Sequence, residues 1–382
     1  MAISLQDICV YVKGKVPVKD LTNENYISTE NMLPNKAGIT NATTLPTTLK
    51  TQIYQKNDIL ISNIRPYFKK IWYANTNGGC SNDVLVIRAK YGIDSKFLYY
   101  VLADDAFFEY SMVTSKGTKM PRGDKTSIMS YVVPDCDLVT QQCIASILSV
   151  LDDKIELNNC INKNLEEQAQ AIFTDLFITN ANSEWKIGTI SDLGNVVGGG
   201  TPSKKVEEYY TDSGIAWITP KDLSNDKSKF IIHGETDITD LGLAKSSATL
   251  MPKGTVLFSS RAPIGYIAIA DGDVSTNQGF KSIVPFENIG TAYIYYFLKE
   301  NLSAIENVAS GSTFKEVSGS TMKNFSTVIP DSDTLSVFRQ FCETLFEQQR
   351  ALEYENRYIA TLRDALLPKL MNGEIDVSKV RI

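Results

Sequence analysis

The sequence has little of what catalytic and metal-binding sites usually need. It contains one histidine, His233, and six cysteines that form no CxxC pair, whereas a zinc site takes about four clustered nitrogen or sulfur ligands. It also lacks a Walker loop, a GxGxxG loop after a strand, and the Asn/Asp-Pro-Pro-aromatic signature of amino-methyltransferases. We therefore expect no metal site and no catalytic residue in this chain.

Long apolar runs are also missing. No stretch of about 18 apolar residues occurs, and the N-terminus lacks a basic start followed by an apolar core, so we expect a cytoplasmic protein. The net charge of −6 is unevenly distributed, with 16 Lys/Arg against 12 Asp/Glu in residues 1–135 and 2 against 7 in residues 136–183. Net charge therefore neither establishes nor excludes nucleic-acid binding, which depends on a local basic surface.

Two long helices are predicted. The first runs from Leu138 to Phe177 over about 60 Å, with apolar residues at coiled-coil spacing: Ile144, Leu148, Leu151, Ile155, Leu165, Ala169, Ile172 and Leu176. The second runs from Phe338 to Leu370, with apolar residues at Phe341, Leu345, Leu352, Ile359, Leu362 and Leu366. These lie 197 positions after Ile144, Leu148, Ile155, Asn162, Leu165 and Ala169 of the first helix. Four polar residues are expected on the seam, where they would fix its register: Asn158, Asn162, Gln348 and Glu355. The common offset predicts an internal repeat whose helices pair with each other.

The segments before the helices predict two similar domains. At 382 residues the chain is longer than one hydrophobic core usually supports. The first segment has β-rich runs at 58–62, 71–73 and 83–87 and a helix near 97–108, and GTVLFS at 254–259 matches NDILIS at 57–62 with the same offset of 197. We predict an α+β fold class with segments 1–136 (domain 1), 137–180 (first spacer helix), 181–332 (domain 2) and 333–382 (second spacer helix and tail).

Motifs in the second domain resemble a known family. GGGTPS at 198–203, IAWITPKDL at 215–223, KGTVLFSSR at 253–261, NQGF at 277–280 and GSTF at 311–314 are similar to a target-recognition domain of type I restriction-modification specificity subunits. The duplicated domain-and-helix plan extends this resemblance over essentially the whole chain. The first domain lacks the GGGTPS-like and WITPKDL-like stretches.

The resemblance implies a non-catalytic reader of double-stranded DNA. Each domain would read one half of a split sequence, and the antiparallel helices would space the two readers about two turns of B-DNA apart. Methyltransferase subunits would dock on the helices, and restriction-translocase subunits would complete the complex. S-adenosylmethionine, ATP and Mg²⁺ would bind those partners, not this chain.

Candidate DNA contacts follow from basic, polar and glycine-rich loops. In domain 1 they are Arg65, Lys69, Lys70, Lys116, Lys119 and Arg122. In domain 2 they are Thr201, Ser203, Lys204, Lys221, Ser260, Arg261, Gln278, Lys281, Ser312, Thr313 and Lys315. Gly198 to Gly200 are interpreted as a turn that lets the backbone approach DNA. Partner binding is assigned to helix positions Leu148, Leu151, Ile155, Leu165, Leu345, Leu352, Leu362 and Leu366.

Two alternatives stay open from the sequence. Each basic residue could belong to an ordinary solvated loop. The whole chain could instead be a coiled-coil scaffold whose end domains bind proteins or glycans and not DNA. DNA binding would be distinguished by a steep loss of affinity with salt.

Overall fold

The computed structural model describes residues 3–117, 119–311 and 315–377. The chain divides into two compact units. Unit 1 contains the described residues up to Glu156 together with those from Arg357 onward, and unit 2 contains Leu157–Asn356. Each unit therefore combines one α+β domain with segments of both long helices.

Domain 1, in unit 1, is built from short strands and short helices. Its strands are β1 (Ile3–Ser4), β2 (Cys9–Tyr11), β3 (Lys15–Pro17), β4 (Tyr26–Ile27), β5 (Lys50–Tyr54), β6 (Ile59–Ser62), β7 (Ile71–Tyr73), β8 (Gly78–Cys80), β9 (Val84–Ala89) and β10 (Val132–Val133). Its helices are α1 (Leu5–Ile8), α2 (Ser95–Ala103), α3 (Asp105–Val113) and α4 (Lys125–Met129). The strands predicted at 58–62, 71–73 and 83–87 are confirmed, and the helix predicted near 97–108 is two consecutive helices.

The central sheet of domain 1 has the strand order β2-β9-β6-β7 and is antiparallel throughout. Strand β6 has no polar face, since all four of its residues are buried, as is typical of a strand covered on both sides. One side packs into a core that also contains Ile144 and Leu148 of the first long helix and Leu367 of the second. A second sheet, β3-β5-β8-β4, completes the domain.

Domain 2, in unit 2, has a similar set of elements. Its strands are β11 (Lys186–Thr189), β12 (Gly194–Gly198), β13 (Tyr210–Thr211), β14 (Ala216–Ile218), β15 (Phe230–Ile231), β16 (Asp237–Ile238), β17 (Val256–Ser260), β18 (Ile264–Ala270), β19 (Val274–Thr276), β20 (Lys281–Pro285) and β21 (Ser326–Ile329). Its helices are α6 (Pro220–Asn225), α7 (Asp240–Ala244), α8 (Thr291–Glu300), α9 (Leu302–Asn307) and α10 (Gly319–Lys323).

The main sheet of domain 2 repeats that of domain 1. Its order, β12-β20-β17-β18, corresponds strand for strand to β2-β9-β6-β7, with β15 added in parallel at the edge. The predicted duplication of an α+β domain is confirmed.

The two long helices are α5 (Leu138–Thr174), which is followed by a π-helical turn at Asp175–Thr179, and α11 (Ser332–Met371). Within unit 2 they run antiparallel, because the Asn158 amide donates to Glu355 at 2.7 Å while the Gln349 amide donates to the Asn162 carbonyl at 3.1 Å. The seam positions of Asn158 and Glu355 are confirmed. The assignment of Gln348 was wrong, since Gln348 is exposed and its neighbour Gln349 is buried.

Phe341, predicted on the same stripe, is also exposed. The buried residues of this part of the second helix share only Leu345 with the predicted stripe and are Phe338, Cys342, Leu345, Phe346 and Gln349. Spacings of three and four alone could not separate these two adjacent faces.

A buried ionic cluster joins domain 2 to the helices within unit 2. The Glu166 carboxylate pairs with the ammonium groups of Lys229 and Lys299, and the Tyr296 hydroxyl donates to it at 2.8 Å. Lys229 also donates to the Gln349 side chain at 2.6 Å. Burial raises the pKa of Glu166, but the two lysines outweigh burial and bring the pKa to about 2.

Replacing Glu166 by Gln is expected to lower the free energy of unfolding by about 3–5 kcal/mol, because it leaves the buried Lys229 and the half-buried Lys299 without their counter-charge. Glu167→Gln is the matched control, since Glu167 forms an exposed pair with Lys163 at 3.8 Å and should change stability by less than about 1 kcal/mol. The folded pKa lies below the ordinary 4.5, so the contribution of Glu166 is present above that pH and is lost as pH falls towards 2. Urea unfolding from pH 7 to pH 2 measures both effects; equal losses in the two variants would contradict this role.

Candidate nucleic-acid interface

Two basic loops of domain 1 meet beyond the end of β6. The first follows β6 and contains Arg65, and the second is a hairpin whose stem pairs Lys116 with Arg122. The backbone N–H of Arg65 donates to the Pro121 carbonyl at 2.8 Å, and Ile64 forms a bridge with Arg122. The residues predicted in domain 1 therefore lie on two loops that are bonded to each other: Arg65, Lys69, Lys70, Lys116, Lys119 and Arg122.

Acidic residues of the same domain pair with part of this basic set. The ion pairs are Lys69 with Asp105 at 2.9 Å, Lys116 with Asp124 at 2.5 Å, and Arg122 with Asp83 at 2.7 Å. The hydrogen bond from Lys116 is the main cause that brings the pKa of Asp124 to about 2. Exposed ion pairs contribute little stability, so a phosphate oxygen can replace the carboxylate at small cost.

The other basic residues of domain 1 differ in exposure. Lys70 is half-buried, its ammonium group donates to the Thr29 carbonyl at 2.7 Å, and burial lowers its pKa. Arg65 and Lys119 are exposed. Arg65 and Lys119 are thus the members of the set that an approaching anion can reach directly.

The same loop arrangement occurs in domain 2. Ser310 and Arg261 each form a bridge with Glu316, as Lys116 and Ile64 do with Arg122 in domain 1. The sequence offsets between these pairs, 194 and 197 residues, fall within the range of the internal repeat. The hairpin stem is thus a feature common to both domains.

The charge on the stem is reversed between the two domains. In domain 2 the carboxylate of Glu316 lies 3.5 Å from both the Arg261 guanidinium and the Lys281 ammonium group. In domain 1 the stem carries the cation, Arg122, and the acid, Asp83, lies in the loop before β9. The fold is therefore repeated while the chemistry it presents is different. The sequence offset alone would have revealed this, because Glu316 lies 194 positions after Arg122.

The remaining candidates in domain 2 take several positions. The Thr201 hydroxyl donates to the Gln278 side chain, and Lys221 pairs with Glu235 at 2.5 Å. Ser203, Lys204 and Lys315 are exposed. Ser260 is a correction: it is fully buried and its hydroxyl donates to the Gly279 carbonyl, so direct contact with DNA is not open to it. Ser312 and Thr313 lie outside the described residues.

Two of the three glycines interpreted as a turn that lets the backbone approach DNA pack closely against other parts of the chain. A Cβ on Gly199 would lie 1.9 Å from the Asn277 carbonyl oxygen, and one on Gly200 would lie 2.3 Å from the Ala248 nitrogen. A Cβ on Gly198 would meet nothing within 4 Å. Gly199 and Gly200 therefore allow close packing against the chain's own backbone, and this packing holds the following Thr201 beside Gln278.

The helix residues assigned to partner binding differ in their exposure. Leu148, Leu165 and Leu345 are buried in the chain's own cores. Leu151, Ile155, Leu352 and Leu366 are partly buried, and Leu362 is exposed. Five other apolar side chains of these helices, which were not among the predicted positions, are more exposed than Leu362: Val150, Leu157, Ile161, Tyr354 and Tyr358.

In residues 3–117, 119–311 and 315–377, no three His, Cys, Asp or Glu side chains are placed to hold a metal ion. Over the same part of the chain, no helix has the length and apolarity needed to cross a membrane.

Comparisons with known proteins agree with this architecture. A family model for the type I restriction modification DNA specificity domain matches residues 1–167 and 182–359. The type I restriction enzyme MjaIX specificity subunit of Methanocaldococcus jannaschii is 38% identical over 190 residues, which is 47% of this chain and 44% of that protein. The HindI specificity subunit of Haemophilus influenzae is 26% identical across 97% of this chain and 98% of that protein.

A similar fold has been solved. The crystal structure of a type I restriction-modification system S subunit from M. genitalium matches over 97% of this chain and 96% of the chain in that structure, with a TM-score of 0.54 and 16% sequence identity. Because the family model matches both halves of the chain, the chain belongs to the type I restriction-modification DNA specificity family, as a specificity subunit with two target-recognition domains.

The glycine packing generates a matched pair of variants. Gly199→Ala is expected to lower the free energy of unfolding by about 1–3 kcal/mol, because the new methyl group would overlap the Asn277 carbonyl. Gly198→Ala should change it by no more than about 0.5 kcal/mol, because that position is open. Urea unfolding of the two variants measures the difference, and similar losses would show that close packing is not what requires glycine here.

Proposed function

We propose that the chain reads a split DNA sequence, with domain 1 contacting one half-site and domain 2 the other. The main support for this proposal is a loop cluster that occurs in both domains. The two clusters use equivalent strands and an equivalent hairpin but present different side chains. A repeated scaffold with different chemistry is what two readers of different sequences require. Family membership supports DNA as the ligand.

Each cluster has side chains suited to both kinds of DNA contact. Arginine and lysine can bind phosphates or reach O6 and N7 of guanine, and glutamine can bind adenine. Domain 1 offers exposed Arg65 and Lys119 beside paired Arg122. Domain 2 offers Gln278 and Arg261, with Lys204 and Lys315 exposed on neighbouring loops.

The proposed role is recognition without catalysis. The chain would position methyltransferase and restriction-translocase subunits at the site it reads, and the methyltransferase would dock on the long helices. S-adenosylmethionine, ATP and Mg²⁺ would belong to those subunits. We place this activity in the cytoplasm, where the chain's proposed ligand, DNA, is found in bacteria and archaea.

Single substitutions can separate phosphate contacts from base contacts. Lys119→Ala is expected to weaken binding to every duplex about equally and to reduce the slope of log K against log salt by about 0.9, as loss of one phosphate contact requires. Arg261→Ala should weaken binding to the cognate duplex by about 1–3 kcal/mol more than to other duplexes, as loss of a base contact requires. The measurement is a salt titration of affinity for the full chain with its methyltransferase partner.

Lys56→Ala serves as the control, because Lys56 is an exposed lysine that precedes β6, whereas the candidate loops of domain 1 lie beyond the end of that strand. An affinity of the wild-type complex that does not depend on salt would contradict DNA reading altogether. Unchanged cognate affinity in Arg261→Ala would remove that residue from the interface and leave the other contacts standing.

A further inference from the structure

The turn between β6 and β7 of domain 1 exposes two adjacent aromatic rings. Tyr67 is 48% exposed and Phe68 is 38% exposed, and their ring centroids lie 4.7 Å apart at an interplanar angle of 51°. Phe97 and Tyr100 of this domain are buried in its core, whereas Tyr91 is exposed. Leaving two rings in water forgoes the stabilisation that burial would give, so the fold itself does not explain their position.

The backbone of this turn is held in an unfavourable conformation. Arg65 and Lys69, on either side of the rings, both have left-handed φ angles, 52° and 50°, although neither is glycine. Such conformations persist only where the surroundings hold them, and they concentrate at functional sites. The Phe68 carbonyl accepts from the Asn35 backbone N–H at 2.8 Å. The Lys69 carbonyl accepts a hydrogen bond from the Lys36 backbone N–H at 2.9 Å.

Two ion pairs to one carboxylate also stabilise this turn. The ammonium groups of Lys36 and Lys69 lie 2.8 and 2.9 Å from the two oxygens of Asp105, at the start of α3. Backbone hydrogen bonds and ion pairs to Asp105 of α3 thus hold the backbone of the turn in place, while its two rings remain exposed to solvent. A flexible loop with exposed aromatics would lack these bonds.

The chemistry around the rings indicates what they contact. Arg65 is exposed next to them, the ammonium group of Lys70 lies 5.7 Å from the Phe68 ring centroid, and the hairpin with Lys116 and Arg122 is bonded to the turn. Cations around an apolar ring pair suit a ligand that is anionic and has flat apolar faces. Nucleic acid has both, as phosphates and bases.

Domain 2 has no such ring pair at the corresponding turn. The corresponding residues, 261–265, read Arg-Ala-Pro-Ile-Gly and end within β18, and Ala262, with a φ of 50°, takes the place of Arg65. The left-handed φ of Arg65 is thus repeated, while the exposed ring pair at this turn is a feature of domain 1. The ring pair is therefore not a requirement of the repeated fold.

We propose that Tyr67 and Phe68 form an aromatic prong that contacts an opened base step in the half-site read by domain 1. The proposal rests on the proposed DNA-reading function and adds a distortion of the duplex to it. Base faces are covered by their neighbours in B-DNA, so a protein ring reaches them only where a step is unstacked, as apolar wedges do in other DNA-binding proteins. Recognition by domain 1 would then depend partly on how easily its half-site deforms.

The test uses the full chain with its methyltransferase partner and duplexes that carry its mapped recognition sequence. 2-Aminopurine, whose fluorescence rises when it is unstacked, is placed in turn at positions of the first half-site other than the methylated base. We expect one position to brighten on binding. The Tyr67→Ala/Phe68→Ala double variant should lose this signal and bind about tenfold or more weakly, in line with the loss of base stacking on aromatic side chains.

Two controls separate the prong from general effects. Tyr91→Ala removes a fully exposed tyrosine of the same domain and should keep both signal and affinity. Tyr67→Phe/Phe68→Tyr keeps two rings and should also retain both. Thermal unfolding of each variant verifies that it folds, and surface positions of this kind should leave the midpoint nearly unchanged.

The outcomes distinguish the prong from the function it rests on. If the wild-type complex binds DNA in a salt-dependent way but the double alanine variant keeps signal and affinity, the prong is overturned and DNA reading stands. If the double variant binds DNA normally but no longer binds the methyltransferase, the rings form a protein contact and the prong is again overturned. If the wild type binds no DNA, the proposed function itself fails.

Discussion

Each long helix carries an apolar stripe that has to be covered, and the rest of the structure depends on how this is done. In unit 1, Ile144 and Leu148 of the first helix and Leu367 of the second share one core with the strands and helices of domain 1. In unit 2, Leu165 and Leu345 share a core with domain 2. Each domain is thus folded onto helix segments from distant parts of the sequence. The hydrophobic effect favours this packing, but because it is not directional it does not fix the register of helix against domain.

Register is supplied by polar groups placed among these apolar residues, and the two units use different ones. In unit 1, Asp152 accepts a hydrogen bond from Tyr100 and pairs with Arg363, each at 2.7 Å. In unit 2 the positions 197 residues away are Gln349, corresponding to Asp152, and Glu166, corresponding to Arg363. These polar groups bind Tyr296 and the lysines of domain 2 instead. Buried polar contacts that must be satisfied leave few alternative arrangements of helix and domain.

The same combination of a repeated frame and changed side chains occurs at the candidate DNA interface. The hairpin stem with Arg122 in domain 1 has Glu316 at the corresponding position of domain 2, and the turn with Tyr67 and Phe68 is replaced by one without aromatics. The frame is set by strand order and by backbone conformations such as the left-handed φ shared by Arg65 and Ala262. At this interface the two domains therefore share a backbone frame and differ in the side chains that it presents.

The repeat in the sequence was sufficient to predict the duplicated domains, the long helices and the approximate strands, because offsets and apolar periodicity report directly on backbone periodicity. Basic, polar and glycine-rich segments indicated candidate loops, but not that these loops are bonded to each other. It could not predict that Ser260 is buried, that Gln349 and not Gln348 faces the seam, or that Asp105 pairs with two lysines. These features depend on contacts between residues far apart in the sequence or on a rotation of about one residue around a helix.

The most direct test of the central claim, that each domain reads one half of a split DNA sequence, is a map of methylated bases. The chain would be produced with its methyltransferase partner in a host without other methylation, and methylated positions would be located by single-molecule sequencing. We expect methylation at one motif with two specified halves and an unspecified spacer, and we expect this methylation to be lost when this chain is omitted. Methylation at a continuous motif, or none from a stoichiometric complex, would contradict it.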